Sequence, residues 1–419
     1  MFLGYRIAID TGNVYLLILP TIFLISCGGD SFGGLSEAEW DVVKELSPMP
    51  EAPIDTTNFV SGIVEAETFG EALFYDQDMS PSGEFSCASC HDPELGFSDG
   101  LVLSEGVGTA ARNAPGLIDT AHSVWYFWDG GCDTLWCQAM GPIENSVEMG
   151  SSRLFISHLI EGNPDYSAQY EQLFGTLPDI SDLSRFPLHA RPIPSDPDQV
   201  ENQRWDTMTA EDQETINIIF ANISKSLAAF ERTIVTVESS FDKYVRGIRE
   251  NDELLLLTYP ESALRGLQLF VGDAGCLECH SGPYFTNGKF YNNGVGDREW
   301  MTEPDLGRYE GIDDVLDNEF NAAGNYSDDP EGRLAQRLLT LEAQDSNLGE
   351  YRVPTLRNVA LTAPYMHGGQ HSTLEEAVGY YSRLDESPVE GVIDDKFQPL
   401  NLSEADITDL VAFLVSLSG

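Results

Sequence analysis

The chain has 419 residues, 22 Lys and Arg against 69 Asp and Glu, and a formal charge of −47. That length is enough for two domains with real cores, and 42% apolar and 10% aromatic residues make it globular rather than disordered. The charge excludes a general nucleic-acid binder and argues against docking on anionic lipid through the protein surface; it fits a solvated acidic shell or the steering of a basic partner.

Residues 14–26 (VYLLILPTIFLIS) form an apolar run that is too short to span a bilayer and has the length of a signal-peptide core. Leu24-Ile25-Ser26-Cys27 resembles the bacterial lipobox, in which the Cys is acylated, and Gly28-Gly29-Asp30-Ser31 follows as a tether. The alternative is an ordinary signal peptide with a chance Cys. Both predict an exported protein, periplasmic and, if Cys27 is acylated, lipid-anchored to the outer membrane of a Gram-negative bacterium. Residues 1–27 are thus read as a lipoprotein signal peptide and 28–60 as tether and N-terminal segment.

Cys87-Ala-Ser-Cys90-His91 and Cys276-Leu-Glu-Cys279-His280 are two C-x-x-C-H strings. One alone could be a redox dithiol or half a zinc site. Two in an exported chain, with no further Cys pairs for zinc, signal covalent haem c. Thiols about one helical turn apart can bond both vinyl groups, and the adjacent His reaches the iron. Of seven Cys, Cys27, Cys132 and Cys137 remain, and the last two can pair as a disulfide in an oxidising compartment.

Between the strings, residues 176–213 are rich in Pro and Asp and read as a long surface loop. Residues 216–235 place apolar side chains at 216, 219, 220, 223, 227, 230 and 234, one face of a helix. Residues 297–350 are acidic with few apolar runs and read as an insertion. Thr373–Tyr381 reads as a capped helix. Ser403–Leu417 is another, with Ser403 as N-cap, Asp406 in the first turn, and Ile407, Leu410, Val411, Leu414 and Leu417 on one face. Strand-like alternation is scarce. The predicted fold is all-α with few short strands: two cytochrome c-like haem domains packed face to face, over 61–210 and 211–419, the second carrying the acidic insertion.

Beyond the haem strings, Arg112-Asn-Ala-Pro115, Phe127-Trp-Asp-Gly130, Gln138-Ala-Met-Gly-Pro142, Glu148-Met149, Val353-Pro-Thr-Leu-Arg-Asn358 and Leu361-Thr-Ala-Pro-Tyr-Met-His367 stand in one order. Over roughly residues 60–419 this resembles the di-haem cytochrome c peroxidase/MauG superfamily. Asp133–Gln138 and Glu319–Asp328 look most like its MbnH-like branch, di-haem partners of a copper-binding protein. The resemblance implies hydrogen peroxide as oxidant, His91 and His280 as proximal iron ligands, and Gln138, Pro142 and Glu148 on the distal side of the first haem. A partly desolvated carboxylate can take a proton from one peroxide oxygen and return it to the other; an amide can orient the peroxide, and a Pro over the iron blocks a competing ligand. It implies Trp128 as an electron relay between haems and a calcium ion held by Asn113, Thr362 and Pro364, since calcium takes oxygen ligands including backbone carbonyls.

Two departures from the classical peroxidases choose the branch. Residues 92–121 contain no His to close the first haem, so peroxide is expected to react there without prior reduction. In register, the sixth ligand of the second haem, Met in the classical enzymes, is Tyr381, with Tyr380 and Met366 as alternatives. Met suits a haem that accepts electrons; a Tyr there resembles MauG-type enzymes, which spread two oxidising equivalents over both haems and a Trp and oxidise residues of a partner protein. The surface Trp that branch places two residues before its second string is Ala274 here, which leaves Trp136 and Trp300 as candidate hopping residues. Gly131 stands where Arg usually follows Trp-Asp-Gly. Arg357 and Lys289 are expected near haem propionates and His367 near the second haem; His158 and His189 are read as surface or satisfied polar residues.

The leading expectation is a peroxide-dependent oxidase that modifies a Trp or Tyr of a partner protein. The alternatives are a cytochrome c peroxidase fed by a small cytochrome c or copper protein, and a non-enzymatic electron-transfer lipoprotein.

Overall fold

A computed structural model describes residues 32–296, 304–386 and 390–419, so Cys27 and Trp300 lie outside the described residues. The described chain is helical, with one pair of two-residue antiparallel strands, β1 (Phe290–Tyr291) and β2 (Tyr351–Arg352). No described helix is long and apolar enough to cross a membrane.

Each half is organised around one helix crossing at a glycine. After α1 (Glu37–Val43), α2 (Val64–Phe74) leads to a single turn, α3 (Cys87–Cys90), that carries the first haem string. Next come α4 (Leu135–Glu144), α5 (Arg153–Gly162), α6 (Pro164–Phe174), α7 (Val200–Asp206) and the long α8 (Ala210–Glu231). Thr209 Oγ1 caps α8 by accepting from the Asp212 N–H at 3.2 Å. The periodicity read from the sequence is the buried face of α8: Ile216, Ile219, Phe220, Ile223 and Leu227 are fully buried. That face lies on α2, and a Cβ at Gly70 would overlap the Ser226 carbonyl. Only a glycine lets the two backbones meet so closely.

The second half repeats the device. It contains α9 (Ser240–Glu250), α10 (Glu253–Thr258), α11 (Glu261–Val271), α12 (Arg308–Asp317), α13 (Arg333–Leu338), α14 (Leu374–Arg383) and α15 (Glu404–Ser416). Gly266 of α11 meets α15 so tightly that a Cβ would overlap the Asp409 carbonyl. Phe241, Phe270, Phe285 and Phe413 cluster behind this crossing with ring centroids 4.9–6.1 Å apart, edge-on or tilted. Burying such a ring is worth about 2–3 kcal/mol. The caps read from the sequence are present: Ser403 and Asp406 form a capping box, and Thr373 accepts from the Glu376 N–H.

Four boundary expectations are corrected. The division at 210/211 falls one helix too early, because α8 closes the first core. The N-terminal segment is not all tether: Leu35, Val43 and Leu46 pack into the second core. Residues 176–213 are not simply a surface loop, since Ile180, Phe186, Ala190 and Trp205 are buried in the first core. The acidic insertion straps the halves together: Phe320 is buried in the first core, Tyr326 packs on it, Glu319 pairs with Arg153 at 2.9 Å and Asp328 with Lys225 at 2.6 Å.

Candidate active site

One continuous cavity of about 950 Å3 connects the two haem strings; Cys90, His91, Cys276, Cys279 and His280 all lie on its wall. The two histidines are held alike. His91 Nδ1 donates to the Phe97 carbonyl at 2.9 Å and His280 Nδ1 to the Phe285 carbonyl at 3.0 Å. A carbonyl only accepts, so the proton sits on Nδ1 and the lone pair on Nε2, the form that ligates a metal. Phe97 and Phe285 both have positive φ, 56° and 51°, a left-handed conformation costing about 1–3 kcal/mol each, which turns each carbonyl toward its His. Burial lowers both imidazole pKa values, that of His280 to about 4, so both rings are neutral. Burial also pushes up the thiols, Cys90 to about 11 and Cys276 to about 12. Two unpaired cysteine pairs, each beside a neutral, aimed imidazole, around one large chamber fit two covalent haems.

The first end of the chamber is built on α4. Gln138 and Pro142 are one turn apart and both face the cavity. Pro142 has no N–H to give the Gln138 carbonyl and carries no atom that can ligate iron. Glu148 lies beyond the helix, also on the wall, with Oε1 accepting from Asn145 Nδ2 at 2.6 Å. Burial raises its pKa, opposed in part by that hydrogen bond. A tight loop presses on it: the Val107 and Gly108 N–H groups donate to the Glu148 and Val147 carbonyls at 2.9 and 2.8 Å, and a Cβ at Gly106 would overlap the Glu148 carbonyl.

Trp128 lines the cavity and is fastened to both halves. Its indole Nε1 donates to the Asn113 carbonyl at 2.8 Å, and its own carbonyl accepts from the Arg352 N–H at 2.8 Å. Asn113, Thr362 and Pro364 share the wall, and the Asn113 N–H donates to the His367 carbonyl at 2.8 Å, joining the two loops. Their donors are neutral oxygens; among the described residues no group of three or more His, Cys, Asp or Glu is placed to hold a metal ion.

At the second end, Tyr381 lines the cavity, and its phenol oxygen accepts from Asn293 Nδ2 at 3.1 Å. Burial pushes its pKa up to about 12, the Asn293 hydrogen bond opposes this, and Cys279 and Cys276 are close enough to perturb it. Tyr380 is fully buried off the cavity and donates to the Asn293 carbonyl at 2.8 Å. Met366 lines the cavity from the loop that carries Pro364, with φ 72°. His367 stacks on Tyr351 at 3.7 Å and bonds Gln370 through Nε2.

Cys132 and Cys137 are joined across the start of α4, Cα atoms 5.8 Å apart. Arg357 is not available to a propionate: its guanidinium is buried against Asp242 at 2.6 and 3.0 Å and also donates to the Pro283 and Leu46 carbonyls. Lys289 is exposed and off the cavity wall. Trp136 is fully buried in the first core, its indole donating to Thr57 at 3.0 Å, also away from the chamber. Arg352 was missed. It lines the cavity, its Nε donates to the Phe127 carbonyl at 3.3 Å, and burial lowers its pKa, with no ion pair to its guanidinium among the described residues. A buried guanidinium without a carboxylate suits a haem propionate. Its position directly before the Val353–Asn358 string was the available signal.

Residues 64–250 match the di-haem cytochrome c peroxidase family. The chain is 30% identical to the methylamine utilization protein MauG of Methylorubrum extorquens, over 85% of this chain and 78% of that one. It is 28% identical to cytochrome c551 peroxidase of Nitrosomonas europaea, over 84% and 79%. Among solved structures, a MauG-like protein associated with microbial copper homeostasis superposes with a TM-score of 0.60 at 24% identity, over 88% of this chain and 93% of that one. The di-haem peroxidase BthA of Burkholderia thailandensis gives 0.62 at 20%, over 88% and 94%. These relatives set aside the non-enzymatic electron carrier. The chain belongs to the di-haem cytochrome c peroxidase/MauG family and is a haem-dependent oxidoreductase acting on peroxide.

Proposed function

We propose that this enzyme uses hydrogen peroxide to oxidise a Trp or Tyr of a partner protein. The observation that carries the reading is the difference between the ends of the chamber: a tyrosine, Tyr381, on the wall beside the second haem string, and Gln138, Pro142 and Glu148 at the first. Haem, when bound, supplies iron that peroxide can oxidise. Glu148 takes the proton from one peroxide oxygen and gives it to the other; its raised pKa makes it a stronger base than an ordinary carboxylate. The Gln138 amide would orient the peroxide, and Pro142, with no atom that can ligate iron, would add no protein ligand from this wall. The hairpin at 105–109, drawn onto Glu148, supports an open first site, because it carries no histidine. Trp128, rigidly hydrogen-bonded, relays electrons between the ends. Tyr381 as a phenolate ligand stabilises oxidised iron.

The same reading includes calcium held by Asn113, Thr362 and Pro364, and export with acylation at Cys27. A small exported copper-binding protein is the first partner to try, given the copper association of one structural neighbour. Cytochrome c peroxidase activity is the second reading, favoured by Met366, which also reaches the cavity. Resonance Raman spectra of the ferric enzyme separate the two. Tyrosinate modes that vanish in Tyr381→Met support partner oxidation; their absence from the wild-type protein overturns it.

A further inference from the structure

Ala274, before the second haem string, offers no ring, Trp136 is buried in the first core off the chamber wall and Trp300 lies outside the described residues, so among the described residues an oxidising equivalent needs another way out of the chamber. Trp125 is the nearest tryptophan in sequence to Trp128, but two guanidiniums stand over its ring, Arg308 at 4.3 Å and Arg337 at 4.8 Å. Cations are attracted to the electron-rich face of an indole. Removing an electron from that ring places a positive charge between two others, so Trp125 is a poor stepping stone.

Tyr284 has no guanidinium stacked on its ring among the described residues; Arg352 is close enough to act on its phenol, but loss of the proton with the electron leaves no new positive charge beside it. It is half-buried on the chamber wall, in the loop after the second haem string. Its ring lies 5.6 Å from that of His122, centroid to centroid. Its phenol oxygen is 3.5 Å from Ser123 Oγ. His122 is off the chamber wall and half-buried, and Val124 two residues on is 43% exposed. The pair thus reaches from the chamber to the surface in one ring contact.

We infer that Tyr284 and His122 are the exit by which oxidising equivalents leave the haem chamber, and that a partner's aromatic side chain is oxidised at the surface beside Val124. This rests on the peroxide-driven oxidation proposed above and names its outlet. In the step, Tyr284 gives one electron to the peroxide-oxidised haem pair and its phenolic proton to the neighbouring neutral His122 ring. A neutral phenoxyl radical remains. The partner's aromatic group then returns one electron to Tyr284, and the proton moves back from His122. Tyr284 is unchanged, the haem pair has been reduced by one electron, and the partner has lost one. Partial burial lowers the His122 pKa and keeps the ring free to accept.

The test is freeze-quench EPR of the two-haem protein mixed with one equivalent of peroxide, without partner, with optical spectra recorded on the same samples. The protein is made with ring-deuterated tyrosine and with ordinary tyrosine. The expected result is a tyrosyl signal that narrows on deuteration, is lost in Tyr284→Phe and persists in Tyr126→Phe, the other tyrosine near Ser123. His122→Phe, which keeps the ring contact and removes the proton acceptor, lowers the radical yield. An unaltered signal in Tyr284→Phe, or haem oxidation in the optical spectra with no tyrosyl radical, overturns this exit and leaves the proposed function standing. No optical response to peroxide in the wild-type protein overturns both. Haem spectra of Tyr284→Phe matching wild type before peroxide show that the variant is folded and loaded.

Discussion

Glu231 ends α8 inside the protein, 4% exposed, with Oε2 lacking a hydrogen-bond partner among the described residues. Its pKa is raised to about 8 by burial alone, against an ordinary 4.5. The raised value fixes the sign. Below about pH 4.5 the group is neutral in both states and costs nothing in charge. As pH rises the unfolded chain releases the proton first, and stability falls until the folded group also ionises near pH 8. The gap is worth about 5 kcal/mol at its limit, at roughly 1.4 kcal/mol per unit. Glu231→Gln removes the titration. It leaves a buried amide that lacks a partner at every pH, a penalty of about 1–3 kcal/mol. The variant should therefore be no more stable than wild type at pH 5 and clearly more stable at pH 9. Thermal melts of the haem-loaded proteins across this range measure it. Parallel curves for the two proteins would refute the assignment of a buried, unpaired carboxyl.

Three further outcomes follow from the same contacts. Gly266→Ala puts a Cβ well under 3.0 Å from the Asp409 carbonyl, and forcing α11 off α15 should cost about 1–3 kcal/mol or more in a denaturant melt, whereas Gly162→Ala, with open space around it, should not. Asp242→Asn leaves the Arg357 guanidinium, fully buried, facing a neutral amide, and should destabilise by about 3–5 kcal/mol in the same melt. Glu148→Gln should slow the reaction with peroxide by about 10²–10⁴-fold in stopped-flow traces. In wild type that rate should fall as pH drops through the raised Glu148 pKa, and in the variant this limb should be gone.

How much of this was legible in the sequence depended on the range of the interaction. The haem strings, the caps at Thr373 and Ser403 and the apolar face of α8 are local patterns, written in residues a few positions apart. What α8 packs against is not local. Gly70 and Ser226 meet across the first half, and no signal in α8 says that its face belongs to α2 rather than to a helix that follows it. The acidic insertion reads as solvated because its anchors are single residues, Phe320 and Tyr326, set among charges. Arg357 was given to a propionate because it lies in a family string; the folded chain supplies Asp242 from α9 at 2.6 Å instead. Arg352, five residues earlier, lines the chamber with no carboxylate partner among the described residues. Two arginines five residues apart cannot be told apart until their surroundings are known.

The central claim is that the first haem site is open and that the second, with Tyr381, shares the oxidising equivalents. Near-infrared and visible spectra of the diferric protein, mixed with one equivalent of peroxide and no reductant, test it most directly. The account predicts immediate loss of ferric Soret intensity and a near-infrared band from charge shared between the two haems. A protein that stays silent to peroxide until one electron is added would contradict it, marking a closed first site and a classical peroxidase.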